Sequence, residues 1–240
     1  TSERISDIED RIKEYPYKQR MDDPSFHFVK AKIRVFLQDK RIVKKQLEIN
    51  VKNKTFVSEL GERYALAYAY LLNEDFDDAE RELKWLKNKN LNNPMIEQLN
   101  IEFLIKKGDI NAAYEAIKKA LKKYPNYRAF IYELANYLIE TNLIKDAIKF
   151  IQNYLLAYSS DPELYKLLAK AYSLNGNQLL QYESLSHSFY YRYNLQEAIT
   201  QMDMAVKARD GNFYEKSRVE ARLKQLQREK EIYEISKANL

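Results

Sequence analysis

Apolar residues recur along most of the chain at intervals of three and four positions, which is the spacing of one face of an α-helix. One such stretch begins at the turn residue Gly108 and reaches a small residue at Ala113, and the same order returns from Asn142 to Ala147, 34 residues later. Only four Gly and five Pro occur among 240 residues, whereas an all-β fold of many short strands needs more turn residues. The pattern therefore predicts an all-α protein built from a repeated pair of helices.

The length of the repeat predicts a particular architecture. Two antiparallel helices in 34 residues, with small residues where the helices cross and often a proline at the end, are typical of the tetratricopeptide repeat. The predicted fold is an all-α tetratricopeptide-repeat solenoid of stacked antiparallel helix pairs with a long C-terminal capping helix. We place the units at about residues 24–57, 60–93, 94–127, 128–161 and 162–178 plus 179–210, and the cap at 212–238. Since the phase shifts after residue 178, residues 179–193 can serve as the second helix of one unit and the first of the next. An ordinary helical bundle with accidental spacing is the alternative.

Residues that could carry catalysis are sparse. The chain has no cysteine and two histidines, His27 and His187, which do not form the H-E-x-x-H pattern of a zinc site. The sequence also lacks a glycine-rich phosphate-binding motif. Acidic pairs such as Asp77 and Asp78 fall at a predicted helix N-terminus, where the helix dipole stabilises negative charge without catalysis. We therefore expect no catalytic residue, cofactor or metal in this chain.

The charge pattern bears on nucleic acids and membranes. The net charge of +5 is spread along the chain and interleaved with acidic residues, which disfavours a dedicated nucleic-acid site. The aromatic and basic stretch at residues 188–196 could stack nucleotides, but Tyr191, Arg192 and Tyr193 are neighbours on a helix and point in different directions. We expect no nucleic-acid partner. No apolar run approaches the ~18 residues of a transmembrane helix, so none is predicted.

A protein-binding groove is the functional surface that this fold predicts. The first helix of each pair lines the concave face of a tetratricopeptide array and can hold an extended or helical segment of another protein. The predicted lining residues are Tyr64, Tyr68, Leu72, Gln98, Glu102, Lys106, Tyr132, Asn136, Glu140, Lys166 and Lys170. This wall is aromatic at one end and basic at the other; the alternative is that Tyr64 and Tyr68 only cover the preceding unit. The Lys and Asn positions of the carboxylate clamp used by some co-chaperones hold Tyr64, Tyr68, Gln98 and Glu102 here, so that clamp is absent.

Four stretches of the sequence carry a family resemblance. They are TSERISDIEDRIKEYP at residues 1–16, DDPSFHFVKAKIRVF at 22–36, YNLQEAITQMDMA at 193–205 and RVEARLKQLQREKEIY at 218–233. The first, with Ile5, Ile8 and Ile12 on one face of an amphipathic helix, resembles the closing helix of membrane-associated zinc metalloproteases. The order of all four resembles the β-barrel assembly-enhancing proteases of the Gram-negative periplasm, in which that helix leads directly into a C-terminal tetratricopeptide domain.

This resemblance implies a division of the chain and a role. Residues 1–20 would be the end of an upstream protease domain and residues 21–240 the repeat domain, with the zinc ligands and catalytic residues outside this chain. It implies a periplasmic, non-catalytic domain that recruits outer-membrane β-barrel proteins or their assembly complex, or that gates its own upstream protease domain. The alternatives are a free-standing tetratricopeptide adaptor or scaffold in cell-envelope assembly or secretion and, third, a complete enzyme.

Overall fold

The structure is a computed structural model that describes residues 23–238, and within this range every regular element is an α-helix. The helices are α1 (Pro24–Leu37), α2 (Lys40–Asn53), α3 (Glu59–Leu72), α4 (Phe76–Asn88), α5 (Pro94–Lys107), α6 (Ile110–Lys123), α7 (Arg128–Glu140), α8 (Ile144–Ala157), α9 (Pro162–Leu174), α10 (Gln178–Tyr190), α11 (Leu195–Lys207) and α12 (Phe213–Ala238). The chain divides into two compact units between Ile110 and Asn111. The first unit contains α1 to α5, and the second contains α7 to α12 and nearly all of α6. The prediction of an all-α protein is confirmed for the described residues.

The turn inside the helix pair has the same geometry at four places. The second helix of a pair begins at Phe76, Ile110, Ile144 and Gln178, each 34 residues after the one before. Two residues before each start stands a residue with a left-handed backbone: Glu74 (φ 64°), Gly108 (φ 84°), Asn142 (φ 61°) and Gly176 (φ 78°). Glycine adopts this conformation without strain, asparagine at modest cost, and glutamate with a larger steric penalty. The 34-residue period of the sequence is therefore also a period of turn geometry.

Three of the first helices in the pairs begin with matching caps. Each of α1, α5 and α9 has a proline at its first position, where the missing N–H removes no hydrogen bond from the helix. The residue before each proline accepts from backbone N–H groups of the first turn: Asp23 from Ser25, Asn93 from Met95, and Asp161 from Glu163 and Leu164. These caps determine where each helix starts and therefore which of its faces meets the neighbouring helix.

The first unit is organised around α3, which packs against α1, α2 and α4. Helix α3 is buried along most of its length, and its alanines Ala65, Ala67 and Ala69 let the neighbouring helices approach closely. The approach is also tight at Gly61, where an added Cβ would lie 3.1 Å from the Cβ of His27 on α1. Large buried side chains of this unit are Phe28, Leu47, Tyr64, Leu71, Leu86 and Leu99.

The second unit contains two apolar clusters. One lies among α7, α8 and α9 and includes Ile131, Ala135, Ala147, Ile151 and Leu168. The other lies among α10, α11 and α12 and includes Leu179, Ala198, Met202, Ala205, Val219 and Leu226. Helix α10 packs against both α9 and α11. Residues 179–193, to which the sequence assigned two packing roles, therefore have a helix on either side.

Some predictions about the organisation of the chain are left open. The N-terminal helix and linker at residues 1–20 lie outside the described residues, and the division into individual repeat units stays a prediction. Among residues 23–238, no helix combines the length and the apolar character needed to cross a membrane.

The tight packing of Ala147 generates a testable prediction. Ala147 is fully buried in the cluster of α7, α8 and α9, so Ala147→Leu overpacks the site and should lower the free energy of unfolding by about 1–3 kcal/mol. Urea unfolding followed by circular dichroism measures the change. The control is Ala157→Leu at the exposed last position of α8, which should change the free energy by less than about 0.5 kcal/mol. Unaltered stability of Ala147→Leu would contradict the packing described here.

Candidate functional site

The predicted groove residues lie on four helices in two units. Helix α3 carries Tyr64, Tyr68 and Leu72, α5 carries Gln98, Glu102 and Lys106, α7 carries Tyr132, Asn136 and Glu140, and α9 carries Lys166 and Lys170. Within each helix the members are four residues apart, which places them on one face. The residues of α3 and α5 form the first-unit surface, and those of α7 and α9 form the second-unit surface.

Tyr64 is a core residue of the first unit. Its side chain is fully buried, and its ring stacks on Phe28 of α1 with ring centroids 4.8 Å apart and 27° between the planes. For Tyr64 the structure favours the alternative that the sequence left open, in which it covers the preceding unit through α1. Tyr64 offers no accessible surface to a partner in this arrangement.

Four side chains of α1, α3 and α5 form a polar cluster, which we call the first-unit cluster: Lys32, Tyr68, Gln98 and Glu102. The Lys32 Nζ donates to Glu102 Oε1 at 2.8 Å, and Gln98 Nε2 donates to the same oxygen at 3.1 Å. The Lys32 Nζ also lies 5.1 Å from the centroid of the Tyr68 ring, a cation–π distance. Burial raises the pKa of the Tyr68 hydroxyl above its ordinary value. The structure thus brings three predicted residues together.

Sequence reasoning missed Lys32, which joins the other three. Lys32 is 70 residues away from Glu102, and nothing in the local pattern indicates their pairing. Lys32 lies on the first helix of the first predicted unit, and the first helices of the units line the predicted groove. Including that helix in the groove would therefore have added Lys32 to the predicted residues. The remaining predicted residues of this unit stand apart: Leu72 is half-buried against the core, and Lys106 is exposed. The accessible part of the first-unit surface is therefore polar rather than aromatic.

On the second-unit surface, Tyr132 is held by an internal hydrogen bond. Its hydroxyl donates to Asp161 Oδ2 at 2.7 Å, and Asp161 is buried at the N-terminus of α9. Arg128 approaches the same carboxylate at 3.5 Å. Burial and, second, the hydrogen bond to Asp161 raise the pKa of Tyr132. The tyrosine therefore connects α7 to the start of α9, and its hydroxyl is already engaged.

Lys166 and Lys170 line a shallow groove between α9 and α10 with a volume of about 340 Å³, which we call the second-unit groove. The other lining residues are Ala169, Ser173, Leu174, Gln181 and Leu185. Both lysines are exposed, and Lys166 Nζ lies 3.3 Å from Glu163 Oε1. An apolar floor beside two cations can hold an apolar side chain next to a carboxylate. The other two predicted residues, the half-buried Asn136 and the exposed Glu140, do not line this groove.

A stack of three rings lies between α9 and the end of α10. The His187 ring stacks on Tyr165 with centroids 4.9 Å apart, and the centroid of Tyr165 lies 5.6 Å from that of Tyr191. Burial lowers the pKa of His187, although the carboxylate of Glu183 acts in the opposite direction. The stack bears on the stretch at residues 188–196: Tyr191 packs inward, whereas Tyr193 is exposed. The sequence had predicted that these neighbours diverge on a helix, whereas they lie in the turn after α10, which ends at Tyr190.

A wider groove of about 890 Å³ lies beside this stack. It is lined by Ser160, Tyr190, Tyr191, Tyr193, Asn194, Leu195, Gln196, Glu229, Lys230, Tyr233, Glu234 and Lys237. Its aromatic side chains come from the end of α10, the turn that follows and the far part of α12. Sequence reasoning missed this groove because Tyr233 is distant in the chain from the other tyrosines.

The residues do not fit a zinc site. Among residues 23–238, no group of three or more His, Cys, Asp or Glu side chains is placed to hold a metal ion. His27 lies in the first unit and His187 in the second, where the His187 ring lies against Tyr165 and Tyr191. No chemical step is therefore assigned to a metal in this part of the chain.

Comparisons with known proteins agree with this architecture. Residues 104–171 match the tetratricopeptide repeat family. The chain is similar to the β-barrel assembly-enhancing protease of Yersinia pestis, with 25% identity over 236 residues that cover 94% of this chain and 46% of that protein. Among solved structures it is similar to a thermophilic tetratricopeptide-repeat protein of Thermus thermophilus, with 16% identity and a TM-score of 0.50 over 83% of this chain and 98% of that one. It is also similar to MamA of Desulfovibrio magneticus, with 20% identity and a TM-score of 0.48 over 70% of this chain and 94% of that one.

The matches to the tetratricopeptide repeat family, the Thermus structure and the Yersinia protease confirm two predictions. The fold is an all-α tetratricopeptide-repeat solenoid, and the resemblance to the β-barrel assembly-enhancing proteases extends along 94% of the chain. The likeness to the Thermus protein, at 16% identity, concerns the fold alone. The chain spans about half the length of the protease that it matches.

The hydrogen bond of Tyr132 generates a second prediction. Tyr132→Phe keeps the ring but leaves the buried Asp161 carboxylate with one donor fewer, so it should lower the free energy of unfolding by about 1–3 kcal/mol. Tyr158→Phe is the matched control, because its hydroxyl bonds to Asn126 at 3.2 Å in an exposed setting. That variant should cost less than about 0.5 kcal/mol. Equal urea midpoints for the two variants would contradict the role assigned to Tyr132.

The stacked His187 generates a prediction about pH. Because the pKa of His187 is lowered in the folded protein, the unfolded chain takes up a proton at a higher pH, near its ordinary pKa of about 6.5. The stabilising contribution of the neutral imidazole is therefore fully present above that value and is lost as the pH falls from it toward the folded pKa. Glu183, Arg218 and Arg222 are the charged groups that act on this histidine.

Urea midpoints of the wild type and of His187→Phe between about pH 8 and pH 5 test this. The wild type should lose more stability over this range than His187→Phe, which keeps an aromatic ring in the stack but cannot titrate. His27→Gln, which changes the other histidine, should retain the loss seen in the wild type. If His187→Phe lost as much stability as the wild type, another group would be responsible.

Proposed function

We propose that this chain is the non-catalytic protein-interaction domain of a periplasmic zinc metalloprotease that acts on outer-membrane β-barrel proteins. The observation that carries the proposal is the similarity to a β-barrel assembly-enhancing protease along 94% of the chain. The fold supports an interaction role, because the first helices of stacked pairs present rows of side chains to a bound segment. The domain recruits either the client proteins or the complex that assembles them.

The second-unit groove is the surface that we assign to the client. Lys166 and Lys170 lie one helical turn apart and are both exposed, and Leu174 and Leu185 line the same groove. A client segment with an apolar side chain followed by an acidic one would meet complementary groups there. The first-unit cluster is a poorer candidate, because Lys32, Gln98 and Glu102 already satisfy one another.

The contribution of this domain to proteolysis is positional. In this proposal the zinc ligands and catalytic groups of the protease belong to another part of the protein. Residues 23–238 contain no group of three or more His, Cys, Asp or Glu side chains placed to hold a metal ion. A domain that holds a stalled client beside an active site raises the effective concentration of the scissile segment without adding a catalytic group. Packing of the same domain against the protease domain would instead gate access to the active site.

Photo-crosslinking in cells tests the proposal. A photoreactive residue at position 170 of the full-length protein should crosslink to outer-membrane β-barrel proteins or their assembly complex, with partners identified by mass spectrometry. Lys166→Glu with Lys170→Glu should abolish copurification of these partners, because the rim of the groove changes sign. The matched control is Lys145→Glu with Lys149→Glu, an equally spaced exposed pair on α8.

Each outcome of this experiment identifies a different role. Crosslinks only to a protease domain of the same protein would make this surface an internal gate. Crosslinks only to unrelated envelope proteins would favour a free-standing adaptor and contradict the proposal. Equal loss of partners in the two charge-reversed pairs would show a general charge effect rather than a groove.

A further inference from the structure

A cavity of about 270 Å³ lies in the first unit, where α1 faces α3 and the loop that joins α2 to α3; we call it the first-unit cavity. Two of the residues that line it, Ala31 of α1 and Gly61 of α3, are small and buried. Because these two positions carry little side-chain bulk, space remains beside the contact of the two helices, whereas protein interiors are otherwise filled. The predicted groove and the second-unit groove use other residues.

A buried carboxylate holds one wall of the first-unit cavity in place. Glu62 is buried and accepts from Arg34 Nη2 at 2.9 Å and from Asn50 Nδ2 at 2.7 Å. The backbone N–H of Thr55 donates to the carbonyl oxygen of Asn50 at 3.0 Å, and its hydroxyl lies 3.4 Å from Asn50 Oδ1. These contacts join α1, the end of α2, the loop and α3, so the wall is organised before any ligand binds.

The cavity holds more cationic donors than this network uses. Arg34 contacts Glu62 through Nη2; its Nε is buried without a hydrogen-bond partner, and Nη1 has no acceptor among residues 23–238. Lys30 lies one helical turn before Arg34 on the same side of α1, is exposed, and enters no ion pair in the described part of the chain. With His27 neutral, Lys30, Arg34 and Glu62 leave one positive charge on the lining.

The rim of the cavity is apolar. Phe26 lies one turn before Lys30 in the same row of α1 and is 56% exposed, and Val57 of the loop is 98% exposed. Phe56, which also lines the cavity, is half-buried. Single exposed apolar side chains are ordinary, but here they border a space that also contains unused cationic donors. An apolar lining with a few placed polar groups is characteristic of a binding site.

We propose that the first-unit cavity binds the C-terminal residue of another polypeptide. Its carboxylate would lie against Lys30 and the free edge of the Arg34 guanidinium, and its apolar side chain would lie against Phe26 and Val57. A guanidinium with five N–H donors can hold Glu62 and still accept a second carboxylate.

The size of the cavity supports a single residue rather than a length of chain. Sites for larger organic ligands begin at about 300 Å³, slightly above the 270 Å³ found here. The site also differs from the carboxylate clamp of co-chaperones, because the clamp positions lie on α3 and α5, whereas the cations of this cavity lie on α1. The recognition depends only on the residues of the first unit and holds whether or not the chain belongs to a protease.

Amide NMR spectra of the 240-residue chain test the site. Gly61 lines the cavity, and the other three glycines, Gly108, Gly176 and Gly211, do not. Titration with N-acetyl-phenylalanine should shift the Gly61 amide and leave the other three glycine amides in place. N-acetyl-phenylalaninamide, which has no carboxylate, should bind about tenfold more weakly or worse, because the charged hydrogen bonds are lost.

A pair of lysine variants provides the matched control. Lys30→Gln should weaken binding of N-acetyl-phenylalanine about tenfold, and it should fold normally because Lys30 is exposed. Lys45→Gln removes an equally exposed lysine on α2 that does not line the cavity. This variant should bind N-acetyl-phenylalanine as the wild type does.

Five outcomes would overturn the proposal. Equal affinity for the acid and the amide would show a purely apolar contact, and unchanged binding in Lys30→Gln would show that the anion lies elsewhere. Similar shifts of all four glycine amides would show non-specific binding. An absence of any Gly61 shift at roughly 50 mM acid, well above a dissociation constant of about 1 mM, would show that the cavity takes no such residue. Equally tight binding of an amidated phenylalanine–aspartate dipeptide would assign the cavity to an acidic side chain within a chain.

Discussion

Close approach of helices at small residues is the constraint on which both units depend. In the first unit, α3 fits between α1, α2 and α4 because Gly61 and three alternate alanines remove side-chain bulk from its surface. In the second unit, Ala147, Ala198 and Ala205 are fully buried in the two apolar clusters. Where backbones come this near, large side chains such as Tyr64 can fill the space beside the contact and close the core.

The packing of helices within each unit determines which polar side chains pair with one another and which stay accessible to a binding partner. Tyr132 and Asp161 satisfy each other at the junction of α7 and α9, and Lys32, Gln98 and Glu102 do so at the junction of α1, α3 and α5. Groups that are already paired contribute less to binding a new ligand, because the existing contacts must first be broken. Lys166 and Lys170 of the second-unit groove are exposed, and the contact of Lys166 with Glu163 itself lies at the surface, so the proposed client surface lies there.

The two ends of the described chain show the limit of a repeated architecture. An internal helix can find neighbours on both sides, as α10 does between α9 and α11. A terminal helix has neighbours on one side only and must present a polar outer face or be covered. Helix α12 buries Val219 and Leu226 but exposes Ile232, Tyr233 and Ile235 in its last part, and α1 exposes Phe26 and Phe36.

The sequence by itself determined the helical class, the 34-residue period, the turn at Gly108 and its recurrence at Asn142, because these depend on interactions within a few residues. The related protease family was also visible from the order of short motifs. Only the tertiary structure showed which aromatic and charged side chains of the predicted groove are buried, which are paired and which are exposed. Tyr64 stacks on Phe28, and Lys32 pairs with Glu102 across 70 residues. A helical period shows which residues share a face, but the burial of that face depends on distant helices that pack against it.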